Sequence, residues 1–274
     1  MKRTLFVLIF SGLLLSGCAN DQYSIESEYW KVNRQAQAIF KNPVATPPNE
    51  RERAVAVLQK FIAGHPDNIL SVRAEFTIGR IYLVTGLYDN ARKQFNSISK
   101  KYAKSATIVS EALFFIGSSY QLQKNTDDAI AQYKTIISRF PLSPRGLQMP
   151  IYIAQYYASL HDPVKMQDAY REAIGQYQRL AQKDMKSALA LRSYTLIAEC
   201  YAGLKDWNKS IEALETIVTN FKDRANMDGV MLNIAVIYRR ELRDTEKAKV
   251  VLTRLIKEYP DSRYAKAARE LLKK

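Results

Sequence analysis

Few side chains in this 274-residue chain are of types that could carry out chemistry. The chain has two cysteines and two histidines. His65 and His161 each lie in a turn without a second metal-binding residue at a ligand spacing, so no metal site is predicted. Cys200 lies on an apolar helical pattern without a disulfide partner, so we expect a buried structural thiol. Cys18 differs, because an apolar segment and two small residues precede it.

Motifs of common enzymes are absent from the sequence. It contains no Gly-x-Ser-x-Gly, no glycine-rich phosphate loop and no zinc-protease motif. The carboxylate pair Asp127 and Asp128 falls in an inter-helix turn, where helix capping explains it. At least five of the 17 tyrosines recur at a helical repeat, so core packing explains them better than a carbohydrate-stacking site. We therefore predict no catalytic residue, no cofactor and no enzymatic activity.

The first seventeen residues have the pattern of an export signal. Lys2 and Arg3 precede the largely apolar run 5–15, which is too short to span a bilayer because that takes about 20 residues. The pattern therefore predicts a signal peptide over residues 1–17 rather than a membrane anchor. Two small residues stand directly before Cys18, where a peptidase cleft needs them, and cysteine offers a nucleophilic sulfur.

The run Leu15-Ser16-Gly17-Cys18 resembles the bacterial lipobox. The resemblance implies that the Cys18 thiol is alkylated with diacylglycerol, that the signal is cut before it and that the new amino terminus is acylated. Several acyl chains anchor firmly, because each buried CH₂ contributes about 0.8 kcal/mol. In that family Ala19, rather than aspartate, favours the outer membrane. We predict a lipidated tether over residues 18–27 on the periplasmic face, the alternative being an ordinary signal peptide that contains a cysteine.

The chain is strongly basic, with a formal net charge of +14. The predicted signal carries two of the positive charges and no acidic residue, so the remainder carries +12. A basic chain often binds nucleic acid, but predicted export argues against that partner. Anionic lipid headgroups, peptidoglycan or an acidic protein remain as partners. A basic surface without any partner is the alternative.

A repeat of small and aromatic residues runs along the rest of the chain. Small residues recur at steps of 38, 37, 44 and 37, namely at Gly79, Gly117, Ala154, Ala198 and Ala235. A tyrosine follows each of them three residues later on the same helical face. Further small and large residues then follow at the spacing of a second helix. Because small residues let two helices approach closely, each copy predicts a helical hairpin.

Each copy resembles the tetratricopeptide repeat. The resemblance implies an all-α fold, a right-handed α-solenoid of about six hairpins, or about thirteen helices, over residues 28–274. A capping helix is predicted from Ser262 to Lys274, with apolar residues on one side only. In the copy at Ala154 the second helix is extended, with Asp162 as its N-cap and Pro163 at its first position.

In the tetratricopeptide family, three positions on each first helix line a concave groove that binds partners. Carried over to this chain, the resemblance implies a mixture of arginine, glutamine and aromatic side chains, which suits an extended peptide or helix with some negative charge. The alternative is a solvated face without a ligand. The candidate partner-binding residues are Arg73, Phe76, Arg80, Glu111, Phe114, Gln155, Arg192, Glu199 and Arg239, with Ser118, Gln148, Ile151, Thr195, Leu232 and Val236 at the remaining positions.

A lipobox followed by such repeats resembles the tetratricopeptide-repeat lipoprotein of the outer-membrane β-barrel assembly machinery. The resemblance implies a lipid-anchored periplasmic scaffold that holds proteins of the cell envelope, although that family has about five repeats and this chain about six. Two alternatives stay open: a pilotin-like lipoprotein that helps a secretin reach the outer membrane, and a Tol–Pal or peptidoglycan-linked coordinator of the envelope. A cell-wall enzyme would need a carboxylate pair or metal site that the sequence does not offer.

Overall fold

The computed structural model describes residues 16–223 and 226–273, with side chains from residue 22 onward. Over these residues the chain forms helices and no strand. The helices are α1 Ser16–Lys41, α2 Pro48–Gly64, α3 Ile69–Val84, α4 Tyr88–Lys101, α5 Ala106–Leu122, α6 Thr126–Arg139, α7 Pro144–Ser159, α8 Pro163–Gln182, α9 Ala188–Gly203, α10 Trp207–Phe221, α11 Asp228–Arg240, α12 Thr245–Glu258 and α13 Arg263–Leu272.

The chain divides into two compact units, the first ending at Leu147 and the second beginning at Gln148. In the first unit each of the helices α1 to α5 packs against the next in sequence, and the first helices α1, α3 and α5 also contact one another in that order. Its core includes the fully or nearly fully buried side chains of Leu58, Phe61 and Ile81. Burial of each such side chain stabilises the fold by about 1.5–3 kcal/mol relative to exposure.

The second unit repeats the arrangement. Helices α8 to α12 each pack against the next one, and α13 also contacts α11, so that α13 covers the end of the row. Its core includes Leu196, Ile217 and Leu255, which are at most 1% exposed. The predicted all-α fold of hairpins with a C-terminal capping helix is therefore confirmed, and α13 starts directly after Ser262 as expected.

Polar side chains fix where most helices begin. The side chain of the N-cap residue accepts a hydrogen bond from a backbone N–H of the first turn, which contributes about 1 kcal/mol per helix. Asp162 caps α8 in this way, with Pro163 as the first helical residue, and both positions were predicted. The other caps of this kind are Asn68, Ser105, Asn125, Ser187, Asp206, Asp244 and Ser262.

Glycines on the first helices allow close helix packing, as the repeat pattern predicts. A β-carbon placed on Gly79 would lie 2.6 Å from the ring of Phe95 on α4, and one placed on Gly117 would overlap the ring of Tyr133 on α6. Both rings are fully buried. The first helix of a hairpin therefore accepts a large aromatic ring of the second helix directly on its backbone.

A left-handed residue ends the first helix of four hairpins. Lys124, His161, Lys205 and Arg243 have φ between 55° and 61°, and Gly86 has φ of 79° at the same place in an earlier hairpin. The following N–H returns to the carbonyl of the repeat tyrosine, for example from Asp206 to Tyr201 at 2.9 Å. This is the hydrogen bond of a Schellman motif, in which glycine is the preferred left-handed residue.

Replacement of Lys205 by glycine should raise the free energy of unfolding by about 1 kcal/mol. The reason is that an L-residue in the left-handed region is disfavoured by about 1–2 kcal/mol, a cost that glycine does not bear. Urea denaturation followed by circular dichroism measures the effect. Lys205→Ala is the matched control and should change stability little, whereas a loss of stability in Lys205→Gly would contradict the assignment.

The N-terminal predictions lie largely outside the described residues. Residues 1–15, which make up nearly all of the predicted signal peptide, are outside them. Helix α1 begins at Ser16 and continues through the predicted tether 18–27 to Lys41. At 1.5 Å per residue, ten helical residues span about 15 Å, which is half the reach of an extended tether. The side chain of Cys18 is outside the described residues.

Candidate partner-binding face

The fifteen predicted groove positions lie on the first helices α3, α5, α7, α9 and α11. Their exposure differs. Arg73, Arg80 and Gln155 are exposed, as are Gln148, Arg192 and Glu199, whereas Ile151 is buried in the core. The remaining positions are half-buried, namely Phe76, Glu111, Phe114, Ser118, Thr195, Leu232, Val236 and Arg239.

In the first unit, arginines stack on aromatic rings along this face. The guanidinium of Arg80 on α3 lies 4.7 Å from the ring centre of Phe40 on α1. The guanidinium of Arg145, at the start of α7, lies 3.8 Å from the ring centre of Phe114 on α5. A guanidinium at these distances is attracted by the face of the ring. The first helices therefore carry guanidinium groups that lie over aromatic rings.

Arg145 also forms a bidentate ion pair with Glu111. Its Nε donates to Oε2 at 2.5 Å and its Nη2 donates to Oε1 at 2.8 Å, and both side chains are partly buried. Such a two-bond pair fixes the plane of the guanidinium. The carboxylate of Glu111 is thus neutralised within the chain, so it adds no net negative charge to the face. The sequence reasoning chose Glu111 and Phe114 but missed Arg145, which is 34 residues away from Glu111.

A cluster of aromatic rings supports the face from behind. Phe95 on α4 stacks on Phe115 of α5, with ring centres 4.9 Å apart and an angle of 11° between the rings. Phe76 lies 6.0 Å from both of these rings. Phe114 contacts Phe115 edge-on at 5.5 Å. Offset and edge-on aromatic pairs each contribute about 0.5–1.5 kcal/mol beyond burial, so the cluster holds Phe76 and Phe114 in place.

Glu75, next to Phe76 on α3, is a buried carboxylate that forms an ion pair with the exposed Lys101. The carboxylate of Glu75 on α3 accepts from Nζ of Lys101 at 2.6 Å and from the hydroxyl of Tyr102 at 3.3 Å. The hydrogen bond to Glu75 raises the pKa of Lys101 above its ordinary value. Sequence reasoning missed this pair, although an acidic residue inside an apolar helical pattern was a signal. The pair joins α3 to the end of α4.

In the second unit the predicted residue Arg239 forms a hydrogen bond to another helix of the chain. Arg239 donates from Nη1 to the backbone carbonyl of Leu271 at 2.6 Å. The last turn of a helix has carbonyls without helical partners, so this bond caps the C-terminal end of α13. Arg239 thus links α11 to the capping helix, a role that its spacing did not reveal.

A cavity of about 290 Å³ lies between α9, α10 and α11 in the second unit. Thr195, Glu199 and Val236, all predicted groove residues, line it together with Trp207 and Asn233. Three of the predicted groove residues, from two different hairpins, therefore line one cavity. Trp207 was not predicted, because it stands at the start of a second helix rather than on a first helix.

Cys200 is fully buried, as predicted, and its thiol is free within the described side chains. Burial raises the pKa of its thiol to about 12, with a smaller contribution from the negative charge of Glu199. Burial likewise raises the pKa of Tyr177 and of Tyr170. The nearby Cys200 thiol adds a smaller rise to both. These groups therefore stay neutral in the folded protein over the physiological range.

Alkylation of Cys200 should report unfolding of the second unit. Because the thiolate is the reactive form, a rise in pKa from 9.0 to about 12 lowers its fraction at pH 8 by about a thousandfold. We expect iodoacetamide to modify Cys200 at pH 8 only at urea concentrations that unfold the second unit, as measured by mass spectrometry. The exposed-thiol variant Lys183→Cys is the control and should react without urea. Rapid modification of Cys200 in the native protein would contradict its burial.

No group of three or more His, Cys, Asp or Glu side chains within residues 22–223 and 226–273 is arranged to hold a metal ion. His65 instead lies 3.0 Å from Oε2 of Glu28. None of the helices in the described part of the chain is both long and apolar enough to cross a membrane.

Comparison with known proteins agrees with the repeat architecture. Residues 111–143, 192–223 and 230–262, about a third of the chain, match the family model of the tetratricopeptide repeat. These segments correspond to the hairpins α5–α6, α9–α10 and α11–α12. Three hairpins of this helical chain are thus similar to the tetratricopeptide repeat. No curated protein matches the sequence.

Three solved structures to which this chain is similar share little sequence with it. BtubC (BKLC) from P. vanneervenii is 15% identical, with 88% of this chain and 92% of that one covered and a TM-score of 0.47. A tetratricopeptide repeat protein from Parabacteroides merdae is also 15% identical, with 89% and 84% covered and a TM-score of 0.41. PilW, a type IV pilus biogenesis factor, is 12% identical, with 87% and 97% covered and a TM-score of 0.41.

Proposed function

We propose that this chain is a lipid-anchored periplasmic scaffold that binds partner proteins during assembly of the outer membrane. The observation that carries the binding proposal is the arginine–aromatic face of the first unit, where Arg80 lies on Phe40 and the paired Arg145 lies on Phe114. Because Arg145 is neutralised by Glu111, the exposed Arg73 and Arg80 supply the positive charge of this face. Rings provide apolar contact area, and guanidinium groups recognise carboxylates. Such a face suits an extended segment that alternates acidic and apolar side chains.

The aromatic cluster preorganises the side chains of this face for binding. Phe76 and Phe114 are held by neighbouring rings, and Arg145 is held in plane by Glu111. A partner therefore need not order these side chains, and this reduces the entropy lost on association by about 0.5–1.5 kcal/mol per side chain. Arg73 and Arg80 add exposed positive charge on α3.

The proposed location rests on the sequence. Residues 1–17 have the pattern of a signal peptide, and Cys18 ends a lipobox-like motif followed by Ala19. Acylation at Cys18 would hold the start of α1 near the inner leaflet of the outer membrane. The scaffold would then receive envelope proteins close to the site where barrels insert.

A photocrosslinking amino acid at Arg73 tests the function in cells. We expect crosslinks from this position to a subunit of the barrel-assembly machinery or to unfolded barrel chains, and a fall in barrel levels when the gene is depleted. The exposed Lys134 on the second helix α6 is the control position and should give no such crosslink. Unchanged barrel levels would rule out the assembly role. Crosslinks to a secretin would instead support a pilotin, and crosslinks to Tol–Pal or peptidoglycan proteins an envelope coordinator.

Charge reversal at Arg80 should weaken binding of an acidic partner peptide by about tenfold or more, because one cation is lost and a like charge is added. The peptide found by crosslinking is titrated against Arg80→Glu and against Lys134→Glu, which has the same change in net charge. Equal loss in both variants would show that total charge, rather than this face, attracts the peptide.

A further inference from the structure

The outer side of α1 carries two exposed aromatic side chains and two exposed cations. Tyr23 and Trp30 are 74% and 63% exposed, although such large rings are usually buried. Arg34 and Lys41 are exposed on the same helix. At about 100° per residue, all four side chains leave the helix within about 20° of one direction. We call these four residues the α1 stripe.

The stripe faces away from the core of the first unit. The opposite side of α1 carries the buried Tyr29, Ala36 and Ile39, which pack in the core with α2 and α3. Trp30 lies edge-on against Tyr29, with ring centres 5.6 Å apart, so the exposed indole rests on a ring that the core holds. The exposed aromatic side chains are therefore not needed for the packing of the hairpin.

The chemistry of the stripe fits a phospholipid surface. Tyrosine and tryptophan are enriched where membranes meet water, because their rings are apolar and their polar atoms reach the headgroups. Arginine and lysine near the surface each contribute about 1 kcal/mol toward anionic lipid. Glu26 is the acidic residue nearest the stripe on the helix, about 60° from it, and its carboxylate accepts a hydrogen bond from Gln22.

We propose that the α1 stripe lies on the headgroups of the membrane and sets the orientation of the first unit. The proposal rests on the proposed lipid anchor, since α1 is the helix that contains Cys18. Tyr23 follows Cys18 by five residues and Trp30 by twelve, which is about 7.5 and 18 Å along the helix. The stripe from Tyr23 to Lys41 extends about 27 Å, so a helix lying in the interface would contact lipid along most of its length.

Tryptophan fluorescence tests the proposal, because the chain has two tryptophans, Trp30 and Trp207. The Trp207→Phe variant leaves Trp30 as the reporter. The processed protein, purified from membranes, is placed in phosphatidylethanolamine–phosphatidylglycerol vesicles with and without acyl chains brominated near the headgroup. Emission of Trp30 should fall by about half or more with brominated lipid, as for an indole at the interface. The Trp30→Phe variant is the control, and Trp207 emission should not change.

Two further measurements separate the outcomes. Mass spectrometry of the N-terminal peptide measures acylation, and flotation measures vesicle binding. If the protein floats with the vesicles but brominated lipid does not quench Trp30, the stripe proposal is overturned and the anchor proposal is kept. A protein partner then becomes the occupant of the stripe. Unacylated protein whose Trp30 is quenched supports the stripe and overturns the anchor. Arg34→Gln with Lys41→Gln should reduce the quenching, whereas Arg53→Gln with Lys60→Gln on α2 should not.

Discussion

Replacement of Gly146 by alanine is expected to destabilise the first unit by about 3 kcal/mol or more. Gly146 lies in the first turn of α7, where a β-carbon would overlap the backbone carbonyl of Phe140. Backbone atoms cannot move aside as a flexible side chain can, so the turn between α6 and α7 would have to shift. That turn is held by the hydroxyl of Ser143, which accepts from the N–H of Gly146 at 2.9 Å.

Gly175→Ala is the matched control for Gly146→Ala. Gly175 lies inside α8, and its added β-carbon would meet only the end of the Arg179 side chain at 3.6 Å. Alanine is favoured over glycine inside a helix by about 0.5–1 kcal/mol, so this variant should be slightly more stable. In urea denaturation, Trp30 fluorescence of the Trp207→Phe background measures unfolding of the first unit. Trp207 fluorescence of the Trp30→Phe background measures unfolding of the second unit. Equal stability of Gly146→Ala and the parent would contradict the close contact.

Replacement of Phe95 by alanine should cost about 3–5 kcal/mol, the range for deleting a buried phenylalanine. Phe95 is 0% exposed, lies directly against Gly79 and stacks on Phe115. The variant removes the ring that joins α3, α4 and α5, so it should also loosen Phe76 on the partner-binding face. Denaturation measures the loss of stability, and binding of the partner peptide should weaken with it.

A double-variant cycle gives the control for Phe95. On its own, Gly79→Ala should be destabilising, because its β-carbon would lie 2.6 Å from the Phe95 ring. When Phe95 is already alanine that space is empty, and Gly79→Ala should become neutral or stabilising because alanine favours the helix. A loss of the same size in both backgrounds would show that the two residues do not act on each other.

Local patterns in the sequence predicted most of the fold. Closely packed helices need small residues at a fixed interval, so the positions of Gly79 and Gly117 defined the hairpins, and Asp162 and Ser262 defined helix starts. The left-handed residues were not predicted, because Lys205 and Arg243 are unusual residues for that conformation. Gly86 at the same place in an earlier hairpin was the signal that could have revealed them.

The candidate face was predicted only in part. Helical spacing placed Arg73, Phe76 and Arg80 together on α3, because residues three and four apart share a face. Spacing could not reveal Arg145 on Phe114 or Arg239 on Leu271, because these contacts join residues more than 30 positions apart in the chain. They depend on how one hairpin packs on the next, and helical periodicity carries no information about that.

The neighbour-by-neighbour packing of the helices has a consequence for folding. Within each unit a helix contacts mainly the helices next to it in sequence, so native contacts close short loops and the contact order is low. Such chains fold fast, and each hairpin gains its stability from its own sequence and from the adjacent interfaces. Amide protons should therefore exchange fastest in the outermost helices of each unit and slowest in its central helices.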